Sequence, residues 1–229
     1  MGAALSTKKF LATPLTQQWK FPFVVNPRFC RQRVTTFELS DNFWMHAIDI
    51  NGYAVRDIDT NRVLFRVMPT IGGEVSDGWT KWLVDEYGIP VAHMTQRDHP
   101  GAAAYDVCIG NRRQPEPKVL TTFVINFVSN RSDPLLAEVD DPHSGGKSRV
   151  GCHGTWRQRA AVLYFERGRG GQKESIAKVY RPASNRMTMC GGNTYHVEIA
   201  IGVDMALVLL ICAAMDGANA HRYKAQRHL

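Results

Sequence analysis

The sequence predicts an all-β domain, an antiparallel barrel closed around one buried C-terminal helix. Three observations predict it. From residue 34 onward, short runs rich in Val, Ile, Phe, Thr and Trp are separated by Gly, Asn, Asp and Pro, the mark of strands and turns. A weak repeat aligns Ala47-Ile48-Asp49-Ile50-Asn51-Gly52-Tyr53-Ala54-Val55 with Leu83-Val84-Asp85-Glu86-Tyr87-Gly88-Ile89-Pro90-Val91, and each copy reads as strand, Asp-x-x-Gly turn, strand. One unbroken apolar run, Met205-Ala206-Leu207-Val208-Leu209-Leu210-Ile211-Cys212-Ala213-Ala214-Met215, follows the last strand-like segment.

Taken in order, residues 1–33 read as an irregular arm, because Pro14, Pro22 and Pro27 interrupt any regular element. Its aromatic residues Trp19, Phe21, Phe23 and Phe29 are expected to pack on the domain. Residues 34–217 form one domain, since the polar loops at 111–118, 130–134 and 140–147 are too short for linkers. A length of 229 residues suits a single large β domain. Residues 160–165, the glycines from Gly168 to Gly171, and residues 176–180 predict a third hairpin. In Trp156-Arg157-Gln158-Arg159-Ala160, strand alternation puts Arg157 and Arg159 on one face.

The helix is expected at about 204–216, with Asp204 as N-cap and Gly217 as stop. It would be roughly 18 Å long, too short for a bilayer core of roughly 30 Å. Being apolar on every face, it must be buried on every side, and a sheet closed around it does that. Residues 218–229 are left as a basic tail.

Composition narrows the function. Five widely spaced cysteines without C-x-x-C give neither a disulfide framework nor a zinc site. They suit free thiols in a reducing compartment, the cytoplasm. None of the eight histidines forms H-x-x-H, and no G-x-S-x-G occurs. Gly145-Gly146-Lys147-Ser148 has Asp141 where a phosphate loop needs glycine. The stretch from Asp57 to Asn61 starts like a calcium loop, but Arg62 and Met68 replace the required Gly and Glu. The expectation is a binding module, not an enzyme, with no metal and no cofactor.

Charge supplies the binding expectation. The chain carries +7. Between Lys147 and Arg186, ten basic residues face only Glu166 and Glu174, a local +8. Such a field favours an anionic partner, either a phospholipid surface or, in the alternative of a nucleic-acid-associated or transcriptional regulatory protein, a nucleic-acid backbone. At the N-terminus, Met1-Gly2-Ala3-Ala4-Leu5-Ser6 fits the pattern for myristoylation at Gly2, with Lys8 and Lys9 close by. Both features point to peripheral attachment at the inner face of the plasma membrane.

Several segments then resemble one family in order. Tyr195-His196-Val197-Glu198-Ile199-Ala200-Ile201-Gly202-Val203-Asp204, running into the apolar helix and Asp216, is similar to the closing segment of LURP-one-related proteins. Gly154-Thr155-Trp156 resembles their middle G-x-W strand, and Ile176-Ala177-Lys178-Val179-Tyr180-Arg181 their A-x-V-x-R strand. The resemblance covers about residues 37–216. It implies a tubby C-terminal-like fold, about twelve strands around a central helix, related to that of phospholipid scramblases. Tubby domains bind phosphoinositides, so the resemblance adds phosphoinositide to the candidate ligands and scramblase-like lipid movement to the candidate activities. The candidate anionic-lipid site is Lys147, Arg149, Arg157, Arg159, Lys178 and Arg181.

Overall fold

A computed structural model describes residues 12–18, 25–46, 52–69, 80–99, 102–109, 118–126, 135–141, 145–182 and 194–226. Among these residues, twelve strands follow one another: β1 (Thr35–Ser40), β2 (Tyr53–Asp57), β3 (Val63–Met68), β4 (Lys81–Asp85), β5 (Pro90–His99), β6 (Ala102–Ile109), β7 (Lys118–Asn126), β8 (Leu135–Asp141), β9 (Gly146–Thr155), β10 (Ala160–Glu166), β11 (Lys173–Tyr180) and β12 (Thr194–Ile199). Each pairs antiparallel with the next, and β1 pairs with β12 to close the barrel. A short helix α1 (Phe43–His46) follows β1, and α2 (Met205–Gln226) ends the chain. The barrel around a helix that the sequence predicts is therefore present, with twelve strands.

Period-two alternation explains the closure. In β12, Tyr195, Val197 and Ile199 are buried while His196 and Glu198 are partly exposed. In β1, Phe37 and Leu39 turn inward and Glu38 outward. The inward residues meet α2, whose residues from Met205 to Asp216 are all buried. Each fully buried leucine or isoleucine there stabilises by about 1.5–3 kcal/mol, so the helix is the centre of the core.

Alternating strands give the barrel two ends. The entry end, where α2 begins, holds the β2–β3, β4–β5 and β10–β11 turns and the arm. The exit end holds α1 and the β9–β10 connection. The arm is tied to the entry end: Thr16 N–H donates to Ser175 O at 2.8 Å and Gln18 N–H to Ile201 O at 2.9 Å. Phe29 is buried as expected, whereas Trp19, Phe21 and Phe23 lie outside the described residues.

The β4–β5 and β10–β11 hairpins sit where the sequence placed them. Residues 47–51 of the first repeat copy lie outside the described residues, and β2 opens at Tyr53.

Two expectations are corrected. Trp156–Gln158 is a single 3-10 turn, not a strand, and Arg159 ends it in the left-handed region at φ 51°. A tight turn has no alternation, so Arg157 and Arg159 do not share a face. Likewise, α2 does not stop at Gly217 but runs to Gln226. Gly217 adopts no left-handed C-cap conformation, and the alanines, lysine and glutamine that follow are good helix formers. One interior glycine costs about 1 kcal/mol, which does not end a helix anchored by its buried half.

Candidate functional site

Both ends of the buried part of α2 are fixed by buried aspartates. At the entry end, Asp204 caps the helix: its Oδ1 accepts from Ala206 N–H at 3.0 Å and Leu207 N–H at 3.3 Å. Its Oδ2 accepts from Val25 N–H at 2.8 Å and Asn26 N–H at 3.3 Å, so the arm is pinned by the same carboxylate. Burial pushes the Asp204 carboxyl up to about 6 despite these four bonds. Gly202, at φ +80°, lets the arm cross: a Cβ there would lie 1.9 Å from Gln18 O.

At the exit end, Asp216 Oδ1 accepts from Trp156 Nε1–H at 2.8 Å and pairs with Arg159 at 2.6 Å. Its Oδ2 accepts from Tyr195 O–H and Asn42 N–H, both at 3.1 Å. Arg159 also reaches Asp41 at 2.7 Å and lies over the Tyr195 ring at 4.0 Å. Burial works against its charge, but Asp216 outweighs that and keeps the guanidinium firmly ionised.

These contacts redistribute the six candidate cations. Arg159, only 4% exposed, is a core ion-pair partner and cannot meet a membrane. Arg181 shares Asp41 with it at 3.0 Å. Lys178 faces Glu198 at 3.9 Å and is mostly covered. Arg157 is exposed at the exit end. Lys147 and Arg149 lie at the opposite end, on the start of β9; Arg149 pairs with Glu138 at 3.6 Å. Six residue steps along the strand lead from Arg149 to Thr155, roughly 20 Å. The six residues thus form no single face. Gly146, Lys147 and Ser148 lie within β9 rather than before a helix, so no phosphate loop exists there. Gly2 lies outside the described residues.

What the fold does gather with Lys147 and Arg149 is the β10–β11 turn. Gly168 N–H donates to Ser148 Oγ at 3.4 Å, bringing the exposed Arg167 and Arg169 beside Lys147. Glu138 approaches Arg169 at 4.0 Å. Glu166, buried, accepts from Gly170 N–H at 2.6 Å and so shapes the turn rather than facing solvent. Arg167 and Arg169 belong to the basic stretch read from the sequence but were not among its six candidates; the Gly-rich turn between two strands was the signal that would have placed them.

The LURP-one-related family model matches residues 36–216. The chain belongs to the LURP-one-related family. A solved structure of an Arabidopsis thaliana protein is similar in fold, with a TM-score of 0.50 and 19% identity over 86% of this chain and 98% of that one. No curated protein matches the chain. The motifs that carry the LURP-one-related resemblance now have physical meanings. Trp156, Tyr195 and Asp216 meet in one buried cluster, and Gly202-x-Asp204 fits the arm over the helix start. These residues hold the helix in the barrel.

The LURP-one-related barrel is filled by its own helix. Among the described residues no group of His, Cys, Asp and Glu could hold a metal ion. A shallow outer cleft of about 300 Å³ is lined by Glu38, Tyr53, Arg56 and Asp57 with their neighbours. No helix among the described residues is long and apolar enough to cross a membrane.

Proposed function

We propose that this LURP-one-related barrel is a non-enzymatic binding module that docks peripherally on anionic phospholipid, phosphoinositide included. The observation that carries the reading is the cluster of exposed Lys147, Arg167 and Arg169 around adjacent strand ends. Arginine forks suit phosphate oxygens. With the interior occupied by α2, a ligand is met on the outside. Docking rather than spanning is supported by Glu38, Arg56, Arg66 and Glu198 at outward strand positions, since charges there are costly against lipid. Attachment at the inner face of the plasma membrane follows from the same reading.

The test is co-sedimentation of the unacylated full-length protein with neutral vesicles and with the same vesicles carrying phosphoinositide, at about 0.15 M salt. Pelleting is expected with the anionic vesicles alone. Changing Lys147, Arg167 and Arg169 to Glu should remove it while the melting curve stays in place. Equal pelleting with both lipids, or with neither, overturns the reading. A salt-dependent gel shift with mixed DNA and RNA, in a protein that ignores vesicles, would move the assignment to nucleic acid.

A further inference from the structure

The rest of the entry end carries an uneven distribution of apolar side chains. Seven large hydrophobic residues are exposed among the described residues. Five of them, Val34, Ile58, Tyr87, Ile89 and Val119, lie at the entry end. Tyr87 and Ile89 are the most exposed, at 77% and 50%, and both sit on the β4–β5 turn. Ile58 opens the neighbouring β2–β3 turn, two strand spacings or roughly 10 Å away.

The β4–β5 turn is held rigidly. Asp85 Oδ1 accepts from Tyr87 N–H at 3.0 Å and Ile89 N–H at 2.8 Å, and Asp85 O accepts from Gly88 N–H at 3.0 Å. Gly88 takes φ +78° at the apex. A hairpin tip normally carries polar residues; this one presents a tyrosine and an isoleucine on a stapled turn.

Arginines surround the two turns. Arg28 pairs with Asp85 at 2.9 Å, Arg62 with Glu86 at 2.8 Å, Arg31 with Glu86 at 3.9 Å, and Arg33 with Asp57 and with Asp59 at 3.7 Å. In these pairs the arginine is mostly the outer member. The four arginine side chains are 43–66% exposed, against 0–22% for Asp57, Asp85 and Glu86; Asp59, at 59%, is the exception. The surface turned outward is thus guanidinium interleaved with Tyr87, Ile89, Ile58 and Val34.

We propose that the β4–β5 tip, assisted by the β2–β3 turn, inserts Tyr87 and Ile89 into the headgroup–acyl boundary of an anionic phospholipid bilayer while Arg28, Arg31, Arg33 and Arg62 engage lipid phosphates. The proposal rests on the lipid-docking reading above and adds the mode of attachment. Tyrosine suits that boundary because its ring is apolar and its hydroxyl wet. Shallow burial of such side chains, with guanidinium groups facing the phosphates, gives peripheral binding that scales with the apolar area inserted. The occupant is a bilayer rather than a protein because apolar tips and outward arginines complement lipid tails beneath a phosphate layer.

Three full-length proteins test it: wild type, Tyr87→Ser/Ile89→Ser, and Tyr87→Trp. The serine changes leave every backbone bond to Asp85 available. On anionic vesicles at physiological salt the double variant should bind at least about tenfold more weakly. Vesicles with bromine on the acyl chains should quench Tyr87→Trp beyond the quenching seen in wild type. If wild type binds but the double variant binds equally, or no extra quenching occurs, insertion is overturned while lipid docking stands. If wild type fails to bind anionic vesicles, both proposals fall together.

Discussion

Arg159 shows how much one side chain's role depends on residues far away in sequence. Its partners are Asp41 and Asp216. Neither is near enough for spacing to reveal the contact, and the alternation in Trp156-Arg157-Gln158-Arg159-Ala160 reads as a strand until φ 51° at Arg159 is known. The charge was legible; its sequestration was not, because an ion pair across 118 residues to Asp41 leaves no local trace. Removing one member of such a buried pair strands the other. Arg159→Ala should therefore cost about 3–5 kcal/mol, read as a lowered urea midpoint. Arg157→Ala, at an exposed position two residues away, should shift stability by no more than about 0.5 kcal/mol. Equal effects from the two changes would mean that the Asp216 cluster does not hold the helix.

At the scale of elements, the hairpins and the apolar run were readable because turn chemistry and periodicity are local. The arm's attachment was not, because it depends on backbone N–H groups of Val25 and Asn26 meeting Asp204. That junction has a pH dependence whose direction follows from burial. The folded Asp204 carboxyl titrates near 6, whereas an unfolded one titrates near about 3.9. Between those values the folded state holds a proton that the unfolded chain has released. The contribution is full below about pH 4 and lost as pH rises through 6, a change of roughly 3 kcal/mol at about 1.4 kcal/mol per unit. Asp216 is raised by burial as well, against the pull of Arg159. Asp57 acts oppositely: burial raises it, but bonds from Thr60, Arg33 and Asp59 N–H outweigh that and lower it, so its contribution is lost in more acidic solution. Compared with wild type, Asp204→Asn should thus lose more melting temperature at pH 4 than at pH 6.5. An equal loss at both would place the proton elsewhere.

For the whole molecule, the decisive relation is between a wide barrel and the helix that fills it. β1 and β12 pair across the full length of the domain, Thr35 with Ile199, so closure waits on the chain's last strand. Contacts of such high sequence separation make folding slow. Closure without α2 would leave an unfilled interior, because the inward side chains of Phe37, Phe123, Phe165 and Tyr195 belong to the same core as the helix. A sheet of twelve strands cannot collapse far enough to bury them against each other, since strand number and shear set the barrel's width. The burial of α2 persists through Ala218 and fades at Asn219. Ending the chain after Asn219 should therefore keep a cooperative thermal transition. Ending it before Met205 should give a protein without one, binding a hydrophobic dye and aggregating through exposed strands. A cooperative transition in the shorter protein would mean that the barrel holds its shape without the helix, and that α2 is cargo rather than core.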